Sequence, residues 1–192
     1  MGVNMVDRFL FIGFVILSLL ILTFIIRLAK RGIHILANPP LNLIVFLFAK
    51  ILAFVSCLFI PLGVLWPELK CYSIPGYLSW LAPGLFVTGS LLAITAMKKL
   101  GDDLIFGLPG GDIKHLQTDG IYKISRNPLY LGFFMIIVAS WLSALNPLNI
   151  GAGGIAIVIH HVIILKEERF LIAKNGSEYL AYMKKTGRYL LV

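Results

Sequence analysis

Reactive side chains concentrate in one stretch, Gly120-Ile-Tyr-Lys-Ile-Ser-Arg-Asn-Pro-Leu-Tyr-Leu-Gly132, where Tyr122, Arg126, Asn127 and Tyr130 surround Pro128 at the mouth of a long apolar run. A proline pre-sets the first turn of a helix. The free N–H groups of that turn attract anions, and a guanidinium such as Arg126 suits a carboxylate or a phosphate. The same residues also make an interfacial belt that only anchors a membrane helix. A second cluster follows the last apolar run: Lys166-Glu-Glu-Arg-Phe-Leu171, then Gly176-Ser-Glu-Tyr-Leu-Ala-Tyr182. Acidic pairs at a helix end are often simply solvated. Placed beside Arg126, Glu167 and Glu168 would instead complete a polar pocket.

Other patterns carry less. The four histidines are His34, His115, His160 and His161, too few for the histidine boxes of membrane di-iron oxygenases. His160 and Glu167 are seven residues apart, as are His161 and Glu168, so each pair shares a helix face. Two ligands fall short of the three that a zinc site usually needs, and no metal is expected. Gly151-Ala-Gly-Gly-Ile-Ala156 fits G-x-G-x-x-A but lacks a preceding strand; close packing of helices through small residues is the better reading. No G-x-S-x-G is present. Lys50 lies inside an apolar run, where a charge is costly and by default a functional hint; the alternative is a stem that snorkels to the interface. Cys57 and Cys71 are expected to be free thiols.

The elements that position these residues are membrane helices. Of 192 residues, 59% are apolar and 14% charged, against about 45–50% and about 25% in soluble domains. This excludes disorder, a coiled coil and a nucleic-acid-binding domain. Apolar runs cover 9–29, 41–66, 77–97 and 129–165, the last broken by Asn146-Pro147-Leu148-Asn149, which is turn chemistry. Splitting it leaves spans at 129–145 and 150–165, each slightly short of the ~20 residues a crossing needs. The expected fold is all-α: an integral membrane protein with five transmembrane helices and a small cytoplasmic cap. Residues 1–97 would hold the first three spans. Residues 98–192 would hold the loop, hairpin and tail of the catalytic region, within a single domain. The net charge is +8. Of the 17 Lys and Arg residues, 14 fall on the segments 27–31, 98–126 and 166–188, Arg8 and Lys70 fall on the other side, and Lys50 lies within a span. Basic residues mark cytoplasmic ends, so the N-terminus is expected outside, with the C-terminus and the site in the cytoplasm.

Arg126-Asn-Pro-Leu-Tyr130-x-Gly132, then Glu167-Glu168-x-x-Leu171, then Gly176-x-x-Tyr179-x-x-Tyr182, resembles the isoprenylcysteine carboxyl methyltransferase family over about residues 112–189. The resemblance implies a multispan enzyme that uses S-adenosylmethionine without a Rossmann domain and releases S-adenosylhomocysteine. Matched position by position, it implies a cofactor site at Lys114, His115, Leu116 and Gln117, at Tyr122, at Asn127, Pro128, Leu129 and Tyr130, and at Glu167. A basic residue that eukaryotic members carry four positions before the glutamate aligns with Ile163, and Asn127 stands where they read histidine. Related patterns occur in phospholipid N-methyltransferases and membrane sterol reductases.

The expected function is methyl transfer to a lipophilic acceptor, most simply the carboxylate of an isoprenylcysteine. Reference carboxyl pKa values are about 3.3–4.3, so such an acceptor is ionised at neutral pH. It attacks a sulfonium methyl without a general base. Desolvation and alignment are what the protein must supply. Arg126 would steer a carboxylate, either the acceptor's or the cofactor's. Glu167 would bond the cofactor's amino or ribose groups, with Tyr122 and Tyr130 around it. An amine acceptor, as in phospholipid N-methylation, would need a base; Glu168 or His161 could serve, so Arg126, Glu167 and Glu168 are the catalytic candidates. An NADPH-dependent reductase is the third reading. Partners are the bilayer and a prenylated or other lipophilic acceptor, with no obligate protein partner evident. The acceptor is expected to arrive sideways through the bilayer, past the short spans and Gly151, Gly153 and Gly154.

Overall fold

The structure is a computed structural model that describes residues 4–33, 38–108 and 116–190. The order is α1 (Met5–Lys30), α2 (Leu43–Leu65), a short α3 (Gly76–Ser79), α4 (Leu81–Leu100), α5 (Pro128–Ser143) and α6 (Pro147–Met183). Short 3-10 turns lie at Pro67–Leu69, Gly101–Asp103 and Gly120–Lys123. Among the described residues, extended pairing is limited to an isolated bridge between Asn38 and Leu108.

Local chemistry sets the helix starts. The side chains of Asn4, Asn42 and Asn146 accept hydrogen bonds from the N–H groups of Asp7, Ile44 and Leu148, which satisfies donors that a first turn leaves free. Pro128 and Pro147 occupy the first turns of α5 and α6, where a missing N–H costs nothing. The helix of the last span continues beyond residue 165 into the polar region. It runs on through Glu167 and Glu168 within Pro147–Met183, because Lys, Glu, Arg and Leu all favour helix and no breaker intervenes before Gly176. The interruption comes at Gly176, whose φ of +52° departs from the helix at low cost for a residue without a Cβ.

Among the described residues, four helical segments are long and apolar enough to cross a membrane: Met5–Lys30, Leu43–Leu65, Gly76–Asp103 and Pro147–Met183. The shorter apolar helix Pro128–Ser143 is the fifth. Their outer faces expose Ile44, Phe54, Leu91 and Val158, the pattern of an all-α integral membrane protein. With 16 residues, α5 is about 24 Å long. It still joins opposite ends of the bundle, since Leu145 just beyond it accepts a hydrogen bond from the Tyr72 N–H, in the loop after α2, at 3.3 Å.

Helices gain little from apolar burial against one another in lipid, so close packing and hydrogen bonds must hold them. α4 packs most extensively on α5, and α2 on α6. At the α4–α5 crossing a Cβ on Gly132 would lie 2.5 Å from the Gly89 carbonyl oxygen, and one on Gly89 would lie 2.6 Å from that of Gly132. Ser56, Ser140 and Asn149 join α2, α5 and α6 inside the bundle: Ser56 Oγ donates to Asn149 Oδ1 at 2.6 Å, and Asn149 Nδ2 donates to the Ser140 and Ala144 carbonyls at 3.1 Å each. Gly153 packs against this knot, where a Cβ would meet Ile137, Trp141 and Ser56 within 2.7 Å. A Cβ on Gly151 or Gly154 would meet nothing within 4 Å beyond its own helix backbone. Gly153 is therefore a packing residue, as the small-residue reading requires. The other two leave open surface.

Candidate functional site

Arg126 closes the short segment before α5, and its guanidinium is turned inward. Nε donates to Glu168 Oε1 at 3.1 Å, and one terminal nitrogen donates to the Thr186 carbonyl at 2.5 Å and the Met183 carbonyl at 3.4 Å. The Arg126 N–H donates to the Gly187 carbonyl at 3.0 Å. Arg188 Nε donates to Glu168 Oε2 at 2.9 Å, and Asn127 Nδ2 donates to Glu168 Oε1 at 3.1 Å. The Glu168 and Arg126 side chains are 5% and 7% exposed. The Glu168 carboxylate holds the Arg188 guanidinium above its usual pKa. Tyr182 adds a hydrogen bond from its hydroxyl to the Tyr122 carbonyl at 2.5 Å, and Thr186 Oγ1 donates to the Lys123 carbonyl at 3.5 Å. These contacts clamp the tail onto the start of α5.

Glu167 faces elsewhere. Successive residues on a helix are about 100° apart, so it looks away from the clamp. Its Oε1 accepts a hydrogen bond from the Tyr130 hydroxyl at 2.9 Å. Tyr122 lies within electrostatic reach of Glu167, and burial raises its phenol pKa above the usual value, which keeps the proton on. Tyr130 also packs against the His160 ring, centroids 5.9 Å apart, while His160 Nδ1 bonds the Ala156 carbonyl at 2.8 Å. His161 turns outward to the Tyr189 hydroxyl at 2.7 Å. Among the described residues, no three His, Cys, Asp or Glu side chains gather as a metal site would need.

Beside Tyr130 a cavity of about 380 Å³ opens between α1, α2, α5 and α6. Its walls are apolar, with Leu17, Ile21, Phe54, Leu129, Phe133 and Ile137 among them, and its polar rim includes Ser18, Lys50, Tyr130 and His160. Leu22 on α1 and Phe54 on α2 line it and are 52% and 61% exposed. The cavity thus reaches the outer apolar surface between α1 and α2. This opening lies away from Gly151, Gly153 and Gly154 of α6, where a sideways route was expected.

The structure brings Leu129 and Tyr130 to the cavity wall, with Glu167 hydrogen-bonded to Tyr130 behind it and Tyr122 within electrostatic reach of Glu167. It gathers Arg126, Asn127 and Glu168 in the clamp, with Pro128 buried at the first turn between the two. Leu116 and Gln117 lie on the approach to the Gly120–Lys123 turn. The Gln117 amide bonds the Asp119 carboxylate, which Lys99 also pairs at 2.8 Å; Lys99 holds that carboxyl below its usual pKa. Lys114 and His115 lie outside the described residues, as does His34. Reasoning from the sequence missed Arg188, Phe106 and the rim position of His160. No local spacing signals them; only the need of a buried carboxylate for partners hinted at Arg188.

Over 121 residues the chain is 31% identical to a protein-S-isoprenylcysteine O-methyltransferase of Dictyostelium discoideum, covering 62% of this chain and 49% of that protein. It is 36% identical over 80 residues to the protein of the same name in Saccharomyces cerevisiae, covering 38% of this chain and 30% of that one. It is 29% identical over 119 residues to methanethiol S-methyltransferase 2 of Bradyrhizobium diazoefficiens, covering 57% and 45%. The aligned part thus spans about half or less of these relatives. A family model described as phospholipid methyltransferase matches residues 77–177, more than half of the chain, including the Arg126–Gly132 motif and Glu167. By that match the chain belongs to the phospholipid methyltransferase family.

Proposed function

We propose that the protein transfers a methyl group from S-adenosylmethionine to the carboxylate of a lipophilic acceptor, most simply an isoprenylcysteine. The observation that carries this reading is the apolar cavity, which meets the surface between α1 and α2 and ends on Tyr130 beside Glu167. A chain rich in CH₂ and CH₃ groups already in the bilayer finds matching walls there. Methyl transferases among the relatives support the reaction class.

The residues present suit the cofactor. Glu167 Oε1 holds the Tyr130 hydroxyl, which leaves its other oxygen to accept from an amino group or ribose hydroxyls. The Tyr122 phenol stays neutral beside it. Held beside Glu167 and Tyr122, S-adenosylmethionine would supply an electrophilic methyl, which the acceptor carboxylate oxygen would take as the S–CH₃ bond broke and left its electron pair on sulfur. Sulfonium and carboxylate both lose their charge in this step, and no proton moves. A cavity that excludes water favours such charge cancellation, because the charged reactants lose more solvation than the neutral products. Arg126 and Glu168, expected to act on substrate, are better placed to hold the tail that shapes the cofactor side. We take the N-terminus as outside and this site as cytoplasmic, a reading supported by the basic bias; Arg31, Lys99 and Arg126 sit at one end of the bundle, opposite the Lys70–Asp7 pair at 2.8 Å.

Purified protein with labelled S-adenosylmethionine and N-acetyl-S-farnesylcysteine tests the reading. Label is expected in a base-labile ester, with calorimetric binding of S-adenosylhomocysteine and none of NADPH. Binding of NADPH alone overturns it in favour of a reductase. Label passing to a small thiol in preference to the farnesyl compound overturns the lipophilic acceptor.

A further inference from the structure

Lys50 is the cation that the proposed reaction leaves unexplained. It sits two turns into α2, within an apolar span, where an ionisable side chain is costly and tends to mark a substrate path. Its stem is long enough to snorkel outward. Instead Nζ turns inward, 4.6 Å from the Phe46 ring centroid and 4.7 Å from that of Phe106. Phe46 lies one turn earlier on the same helix. Phe106 comes from the segment after α4, which the buried Leu104 and the Leu108 N–H to Asn38 carbonyl bond at 2.8 Å hold over the cavity. Among the described residues, no carboxylate pairs with Lys50 within 4.0 Å. Among the described residues that line the cavity, Lys50 is the one Lys or Arg, beside Tyr130 and His160 and within electrostatic reach of Glu167.

Resting on the methyl-transfer reading, we infer that Lys50 binds the acceptor's carboxylate and so selects anionic acceptors over amines. Two aromatic faces keep the ammonium inside by cation–π attraction without neutralising it. In these surroundings its field is far stronger than in water. A lipid tail would lie along Ile21, Phe54 and Phe133, with its anionic head on Lys50 at the rim beside Tyr130. A protonated lipid amine would meet the same ammonium as a like charge, which disfavours the phospholipid headgroup that the family's name suggests. The pairing also separates substrate from product. Once the carboxylate becomes a methyl ester, Lys50 faces a neutral group and its hold on the head is lost.

The test uses the full chain in detergent, with N-acetyl-S-farnesylcysteine, its methyl ester and a farnesyl amine as probes. Wild type is expected to bind the acid about 10- to 100-fold more tightly than the ester, the range for a charge-assisted hydrogen bond. Lys50→Met should raise KM for the acid by a similar factor and bring the acid-to-ester ratio near one. Affinity for S-adenosylhomocysteine should stay within twofold, and Lys50→Arg should retain the ratio. Absence of any methylation of the acid by wild type overturns methyl transfer itself. An active wild type with no acid preference, or a Lys50→Met variant that keeps the preference, overturns only the role of Lys50. So does a Lys50→Met variant that loses S-adenosylhomocysteine instead, since the lysine then serves the cofactor. Methylation of the farnesyl amine as readily as the acid also overturns the selection. If Lys50→Met does not fold, the wild-type acid-to-ester ratio and Lys50→Gln decide the matter in the same way.

Discussion

Glu167 and Glu168 are neighbours in the chain and belong to different structures: Glu167 accepts a hydrogen bond from Tyr130 at 2.9 Å beside the cavity, while Glu168 is held by Arg126 and Arg188 at 3.1 and 2.9 Å. The rotation of about 100° between successive helical residues turns one toward Tyr130 and the other into the clamp, and on the proposed reading the two should fail differently when replaced.

Glu167→Ala is expected to weaken S-adenosylhomocysteine binding roughly 5- to 150-fold, from the ~1–3 kcal/mol lost with a buried hydrogen-bonding partner. Thermal stability should change little. Glu178→Ala, on the exposed face of the tail, is the control and should bind as wild type. Calorimetry on both variants checks this, and equal losses would place the cofactor on another surface.

Glu168→Ala removes the partner of the buried Arg126. An uncompensated buried charge destabilises by about 3–5 kcal/mol, and the tail loses its anchor. A large drop in the unfolding temperature is expected, together with protease cleavage near residues 184–188. An unchanged melting curve with lost methyl transfer would return Glu168 to the list of groups that touch substrate.

Gly132→Ala should destabilise the protein by about 1–3 kcal/mol, the usual range for overpacking, because its Cβ would meet a backbone carbonyl rather than a flexible side chain. Gly154→Ala, with nothing within 4 Å, should be neutral. Paired unfolding measurements decide whether the glycine of the motif serves packing or the ligand.

The orientation is checked with thiols. Cys71 is exposed and Cys57 partly buried. A membrane-impermeant maleimide should label Cys71 in intact cells. With Cys71 replaced by Ser, a cysteine at the exposed Lys123 should stay unlabelled until lysis. The reverse pattern would put the clamp on the outer face.

Much of the architecture was legible in the sequence, since a bilayer leaves few alternatives. Apolar runs of this length must be helices, because lipid satisfies no backbone polar group. Asn146-Pro147 marks the α5–α6 turn, and Pro128 marks the start of α5 in the structure as in the sequence. The motif around Arg126 pointed to one end of the bundle for the same reason. Its local spacing names reactive residue types without saying which way each faces.

Direction was left to the tertiary structure. Whether Arg126 meets a ligand or Glu168 depends on a tail some 60 residues away folding back over α5, and no local pattern encodes that return. Lys50 reads as a misplaced charge in a hydrophobic helix until Phe46, Phe106, Tyr130 and His160 are seen to share its cavity. Composition and periodicity register what a segment prefers against water or lipid, a property of each segment alone. A site arises where faces of several helices meet, and close contacts such as Gly89 on Gly132 and Gly153 on Ser56 set which faces those are.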